Sequence, residues 1–439
     1  MKRFFFISVL IAAWSIAGTA NAVDVQRVIS PGGIEAWLVH DDRNPIINLR
    51  FTFRGGAALD PIGKEGLANL VSSTLDEGAG NFDSKAFQQT LEDKAISLGF
   101  DAGKDTFGGH LRTLTQNRDQ AFGLLKIALT RPRFDPEPLS RIRTQILIGL
   151  KQDKEDPGAI ANRKLMQTLF PDHPYGRATN GTEESVKSIA TDDLHRFVKR
   201  RLARDNLLVG AVGDVTPEML GKLLDDTFGR LPAKAAPWAL PQVTPATTGK
   251  TIVIEKNVPQ SKLAFADQGL KREDPDFYAA YVMNRILGGG GFTSRLYAEV
   301  REKRGLAYSV HSNLYPFDAS AMLLGGAGTA NARVGETIEV IADEWQRMAE
   351  HGVSDAELND ARTYLTGAFP LRFSSSGRIA RMLVGMQISG LEIDYLQKRN
   401  SFIEAVTRPD ITRVAKKLLD TKRLTTVVVG KPDGVRASD

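Results

Sequence analysis

LHRFVKRRLARDNLLVGAVG, from Leu194 to Gly213, and ITRVAKKLLDTKRLTTVVVG, from Ile411 to Gly430, lie 217 positions apart and carry one pattern. Leu194, Phe197, Leu202, Leu207 and Gly213 are matched in turn by Ile411, Val414, Leu419, Leu424 and Gly430, and the basic pair Lys199-Arg200 by Lys416-Lys417. Apolar residues three or four apart, followed by an unbroken apolar run, predict an amphipathic helix feeding a buried strand that stops at a glycine. A pattern that returns once, at so long a spacing, predicts two related lobes of about 200 residues each, an ordinary domain size.

Between the two copies, Pro232, Pro237, Pro241 and Pro245 are interleaved with Ala and Thr. Proline at that density forbids a helix or a central strand and predicts an extended connector. The expected organisation is an N-terminal lobe over 23–232, a linker over 233–249 and a C-terminal lobe over 250–439. Within each half, strand-like runs such as Ile46 to Phe53, Phe107 to Thr113, Lys262 to Ala266 and Met322 to Gly325 alternate with long helical patterns. Those patterns include Gly66 to Leu75, Glu137 to Lys154, Ala332 to His351 and Asp355 to Phe369. Neighbouring strands joined by short turns, then blocks of helix, predict an α+β class in which each lobe is a mainly antiparallel sheet with helices on one side.

Residues 1–22 read as an export signal. Lys2 and Arg3 are followed by the apolar run Phe4 to Ile16 and by Ala20-Asn21-Ala22, small residues at both cleavage positions. The run is short for a bilayer span and no charged stop follows it, so a soluble periplasmic protein beginning at Val23 is expected, with no membrane attachment after cleavage. Removing 22 residues from 439 leaves 417, more than one hydrophobic core usually supports. It also removes two of 57 basic residues, leaving 55 against 52 acidic ones, a balance that points to no nucleic-acid partner. With no cysteine in the chain, a disulfide scaffold, thiol catalysis and cysteine-bound metal are excluded together.

Three stretches carry a family resemblance. GGAALDPIGKEGLANLVSSTLDEGAG, Gly55 to Gly80, resembles the N-terminal zinc helix of the pitrilysin/insulinase-type zinc metallopeptidases in its glycine-rich approach and in the spacing of Leu67, Leu70, Val71 and Leu75. HPYGRATNGTEESVKSIATDDLHRFVKRRLARDNLLVGAVGD, His173 to Asp214, is similar to that family's closing segment of the first lobe. LGGGGFTSRLYAEVREKRGLAYSVHS, Leu287 to Ser312, is the most specific match and lies in the second lobe. The resemblance implies two related lobes forming a clam-like chamber.

In that family H-x-x-E-H holds zinc with two His on one helix face, the Glu acting as general base, and a distant Glu completes the site. Here Asn69, Ser72 and Ser73 occupy the His, Glu and His positions, and counting 76 positions on from Ser73 lands on Gly149. Asn and Ser are poor zinc ligands, and none of the six histidines, His40, His110, His173, His195, His311 and His351, has another within reach on one helix face. Neither a metal site nor catalytic residues of its own are expected. His173, followed by Pro174, reads as a turn or capping residue. Gly288 to Gly291 lacks the Lys-Ser/Thr of a phosphate loop and reads as a helix exit.

Arg301 and Tyr308 match an Arg/Tyr pair that in the family reaches the zinc-bound peptide from the second lobe. The residues alone allow a plainer reading, with Arg301 in a surface network with Glu299 or Glu302 and Tyr308 in the core. In the mitochondrial-processing-peptidase-like branch, one subunit holds zinc and a related one does not. The resemblance therefore implies a non-catalytic, substrate-binding subunit of a two-subunit periplasmic zinc endopeptidase. Its partner would be a homologous chain with H-x-x-E-H that carries the zinc, and its substrates peptides. The alternatives are a stand-alone peptide-binding or holdase protein and a peptidase with an unrecognised site. The stretch Ile96 to Leu114, with Gly99, Gly103, Gly108 and Gly109, reads either as an exposed strand edge for an extended peptide or as an ordinary hairpin.

Overall fold

A computed structural model describes residues 24–435 and 437–438; the export signal expected at 1–22 lies outside the described residues. Among the described residues no helix is long and apolar enough to cross a membrane.

The first half supplies strands β1 (Gln26–Ile29), β2 (Glu35–His40), β3 (Ile46–Arg54), β4 (Ser97–Ala102), β5 (Thr106–Leu114) and β6 (Leu207–Gly213). Its helices are α1 (Leu67–Ser72), α2 (Ser84–Asp93), α3 (Arg118–Thr130), α4 (Pro136–Glu155), α5 (Pro157–Leu169), α6 (Glu183–Ser188), α7 (Thr191–Arg201) and α8 (Pro217–Phe228). The second half supplies β7 (Thr251–Glu255), β8 (Gln260–Gln268), β9 (Ala307–Pro316), β10 (Ala321–Ala330) and β11 (Thr425–Gly430). With them come α9 (Phe277–Asn284), α10 (Val334–His351), α11 (Asp355–Gly367), α12 (Ser376–Ile388), α13 (Tyr395–Glu404) and α14 (Arg408–Leu418).

The sheets have orders β1-β2-β6-β3-β5-β4 and β7-β11-β8-β10-β9. Dropping β1, the two orders are one topology, and each holds a single parallel pair, β2 with β6 and β7 with β11. The repeated sequence pattern explains why. α7 and α14 are the same eleven positions displaced by 217, and each feeds an interior strand of its sheet. In β11 Val428 faces one core while Val427 and Val429 face another, the period-two alternation of a strand buried on both faces.

The α+β class and the mainly antiparallel sheets agree with the sequence; helices confined to one side do not. One face of the first sheet, through Leu49, Phe51, Phe53, Val209 and Ala211, packs on α1, α2, α3, α7 and α8. On its other face Trp37 and Val212 meet Ile379, Ala380, Leu383 and Met386 of α12, a helix from the second half of the chain. Conversely, Ala161, Leu165 and Leu169 of α5 cover Ala264, Ala266, Val427 and Val429 of the second sheet. The halves thus exchange equivalent helices, α12 lying 219 positions after α5. Gly210 makes the contact possible in the first sheet: a Cβ there would stand 2.8 Å from the Ala380 carbonyl oxygen. Gln387 Nε2 of α12 donates to the Val209 carbonyl at 2.9 Å, and Arg54 Nη2 donates to the Gln387 and Ile388 carbonyls at 3.0 Å, closing the last turn of α12.

A second tie lies where the halves meet. Tyr175, fully buried, donates from its hydroxyl to Asp105 Oδ1 at 2.6 Å and accepts from the Ala319 amide at 2.9 Å; the Asp318 amide donates to Asp105 Oδ2 at 3.1 Å. The proline-rich stretch takes neither helix nor strand and is fastened along its length, Val243 to Ala319 and Ala246 to Leu169.

Candidate functional site

α1 is the segment that resembles a zinc helix. It is shorter than its apolar pattern, six residues rather than the ten from Gly66 to Leu75, because its own hydroxyls compete for the backbone. Ser72 Oγ and Ser73 Oγ donate to the Asn69 carbonyl at 2.9 and 2.8 Å, and Thr74 Oγ1 donates to the Leu70 carbonyl at 2.7 Å. Ser72 is buried, Asn69 and Ser73 half-buried. At the other end of α1, buried Asp60 accepts from the Gly66 and Ala68 amides at 3.0 and 3.1 Å. Burial pushes the Asp60 carboxyl up to about 7 against the pull of those amides and of Arg177.

Gly149 lies inside α4, which packs on α1 and offers no side chain there. The donor set does not fit zinc. Two hydroxyls committed to a carbonyl, an amide side chain and a glycine supply neither imidazole nor carboxylate. Among the described residues no group of three or more His, Cys, Asp or Glu is placed to hold a metal ion. The region keeps the scaffold of a metal helix with structural side chains in place of ligands. His173 is a cap: its Nδ1 accepts from the Tyr175 amide at 3.2 Å, so Nε2 carries the proton it shares with the Pro241 carbonyl at 3.0 Å.

In the second lobe the glycine run forms the exit of a π-helical turn, Arg285–Gly289. Its role is close packing. A Cβ on Gly288 would lie 2.4 Å from Ser312 Oγ, and beside it Ser312 Oγ donates to Asn284 Oδ1 at 2.7 Å while Asn284 Nδ2 donates to the Ser312 carbonyl at 3.1 Å. A second π-helical turn spans Tyr297–Glu302. Turns of this wider kind cluster at functional sites.

Arg301 stands on that turn with its guanidinium carbon 4.9 Å from the centre of the Tyr297 ring and 4.5 Å from that of Tyr308. The plainer sequence reading fails on both counts. Glu299 accepts instead from Lys303 at 2.7 Å and Arg304 at 2.6 Å and has Arg347 at 3.6 Å, and Tyr308 is 78% exposed. Tyr308 occupies a β-bulge: Ser309 pairs with Gly328 and Ala307 with Thr329, leaving Tyr308 as the extra residue of the edge strand β9. A bulge re-aims its side chain, here over Arg301. Sandwiched between two rings, a guanidinium keeps its N–H edge free while its orientation is held. Tyr297 was not singled out from sequence, although its place four residues before Arg301 sets the two on one helical face.

A family profile described as the Peptidase M16 inactive domain matches residues 188–365. An uncharacterized zinc protease of Mycobacterium bovis is 30% identical over 305 residues, covering 67% of this chain and 68% of its own. The chain belongs to the M16 peptidase family. A non-peptidase homolog, YmxG, of Helicobacter pylori is 28% identical over 88% of this chain and 89% of its own. A probable mitochondrial-processing peptidase subunit beta of Schizosaccharomyces pombe is 23% identical over 87% and 85%. The crystal structure of a peptidase M16 inactive domain from Pseudomonas fluorescens superposes with a TM-score of 0.87 at 29% identity, covering 94% of this chain and 99% of that one. With the donor set of α1, these matches make the chain an inactive M16 member.

Proposed function

We propose that this chain is the non-catalytic subunit of an exported, periplasmic two-subunit zinc endopeptidase, and that it lends Arg301 and Tyr308 to the zinc site of a homologous partner bearing H-x-x-E-H. The observation that carries the reading is the Tyr297-Arg301-Tyr308 stack. It presents an oriented guanidinium and an exposed phenol with no carboxylate partner among the described residues. Arg301 can grip a substrate carbonyl or carboxylate with two parallel N–H groups, and the Tyr308 hydroxyl can donate to oxygen that becomes negative as a peptide bond is attacked. The inactive M16 identity and the unsuitable donors of α1 support assigning the metal to the partner.

The test is co-expression with an M16 homologue that has H-x-x-E-H intact. The pair should co-purify and cleave peptides faster than the homologue alone. Arg301→Ala and Tyr308→Phe should each lower kcat/KM of the pair by roughly 10- to 100-fold, the scale of a lost transition-state donor, with unchanged co-elution. Unchanged kinetics in both variants would withdraw the Arg301/Tyr308 assignment. Failure to recover any partner, with saturable peptide binding by the isolated chain, would put a stand-alone peptide-binding protein in its place.

A further inference from the structure

On its outer face the first sheet is only half covered. α12 lies over β6 and β3: the Cβ position of Gly377 is 3.4 Å from Asn48 Oδ1 at one end of β3, and Arg54 meets the last turn of α12 at the other. Beyond α12, no described helix rests on the outer face of β5 and β4. Strand alternation puts Asn48, Arg50, Thr52 and Arg54 of β3, Gly108, His110 and Arg112 of β5, and Ser97, Gly99 and Asp101 of β4 on that face. The result is a shelf, walled by α12 and bounded by the free edge of β4.

Its charge is one-sided. Asp101 is the carboxylate these strands place there, and it is already engaged by Arg50 Nη2 at 2.6 Å across Gly108. Arg112 on β5 and Arg378 and Arg381 on the wall are exposed, and none has a carboxylate within 4.0 Å among the described residues. Partial burial, then Arg50 and Arg381, hold the His110 imidazole below its ordinary value, so the shelf stays cationic through arginine rather than histidine. The floor is low: Gly99 has no side chain, and His110 lies over it, its Cε1 2.8 Å from where a Cβ would be.

We propose that this shelf binds an extended peptide by its carboxylate side chains, which makes acidic segments the preferred substrates. The inference rests on the reading that the chain handles peptides. Side chains on one face of an extended strand repeat about every 6.6 Å, twice the rise per residue, the same interval that separates His110 from Arg112. Acidic residues on one face of such a peptide pair with Arg112, Arg378 and Arg381, the exposed shelf arginines left without a carboxylate partner among the described residues. A basic peptide would bring like charges together.

The experiment uses two fluorescein-labelled twelve-residue peptides, identical except for Glu or Lys at alternate positions, titrated by anisotropy into the mature chain and into Arg112→Glu/Arg381→Glu. The wild type should bind the Glu peptide at least 10-fold tighter at low salt, with the advantage shrinking as ionic strength rises. In the double variant the preference should vanish or reverse. Arg230→Glu, after α8 on the helical side, should leave the preference unaltered. Equal affinity for both peptides, or an undiminished Glu preference in the double variant, would overturn acid selectivity while leaving peptide binding intact. Binding of neither peptide would overturn the peptide-handling reading and the selectivity with it.

Discussion

Asp60 ties the start of α1 to the body of the first lobe, and its proton sets how tightly. Its native value of about 7 is above the ordinary 3.8, so the folded chain holds the proton more firmly than the unfolded chain does. The stability from this group is complete below the ordinary value and is lost as pH rises toward and through 7. The urea midpoint of the wild type should therefore fall more between pH 5 and pH 7.5 than that of Asp60→Asn, whose side chain does not titrate. Equal slopes would remove Asp60 as the cause. Tyr175 makes a similar argument without charge. Tyr175→Phe strands the Ala319 amide and one oxygen of Asp105, and should cost about 1–3 kcal/mol in equilibrium unfolding. At this scale the sequence was half legible. Asn69, Ser72, Ser73 and Gly149 revealed what they lack, because ligand chemistry belongs to residue type. What the hydroxyls do instead, bonding back to the Asn69 carbonyl, depends on a backbone that only the fold supplies. Tyr175 lay in plain view in His-Pro-Tyr-Gly, yet its partner Ala319 is 144 positions away.

Among the elements, α7 and α14 were legible as helices feeding strands, since their apolar spacing is strong and each is followed by its strand. α5 and α12 were not read, and the cause is physical. Each buries its apolar face on a sheet built by the other half, so nothing nearby in the chain announces a helix there. Leu383 and Leu165 are the central, fully buried contacts of the two exchanged helices. Leu383→Ala and Leu165→Ala should each destabilise the protein by about 2–5 kcal/mol, the usual cost of such a cavity. The two losses should be comparable and appear in one cooperative transition. Two separate transitions would show that the lobes melt independently. The pairing of Arg301 with Tyr308 was legible in part: their seven-residue spacing was visible, but the bulge that turns Tyr308 toward Arg301 depends on pairing with β10.

For the whole molecule, the exchange means that cutting the covalent connection should not separate the halves. A single protease site engineered between Trp238 and Leu240 should yield two fragments that co-elute under native conditions and part only in denaturant. Elution as separate folded halves would contradict the exchange of α5 and α12. The repeat made two lobes readable from sequence. That they are interlocked was not readable, because repetition reports kinship between segments and is silent on which copy each segment leans against.

The exchange also imposes an order on assembly. A ribosome delivers β1 to β6 long before α12, so the outer face of the first sheet, with Trp37 and Val212 on it, stays uncovered until residue 388 has emerged. Through that interval the nascent chain exposes an apolar sheet surface with no cover of its own, the condition under which misassembly with a neighbouring copy competes with folding. The same helix that locks the finished protein is therefore a late arrival whose absence a chaperone would have to mask.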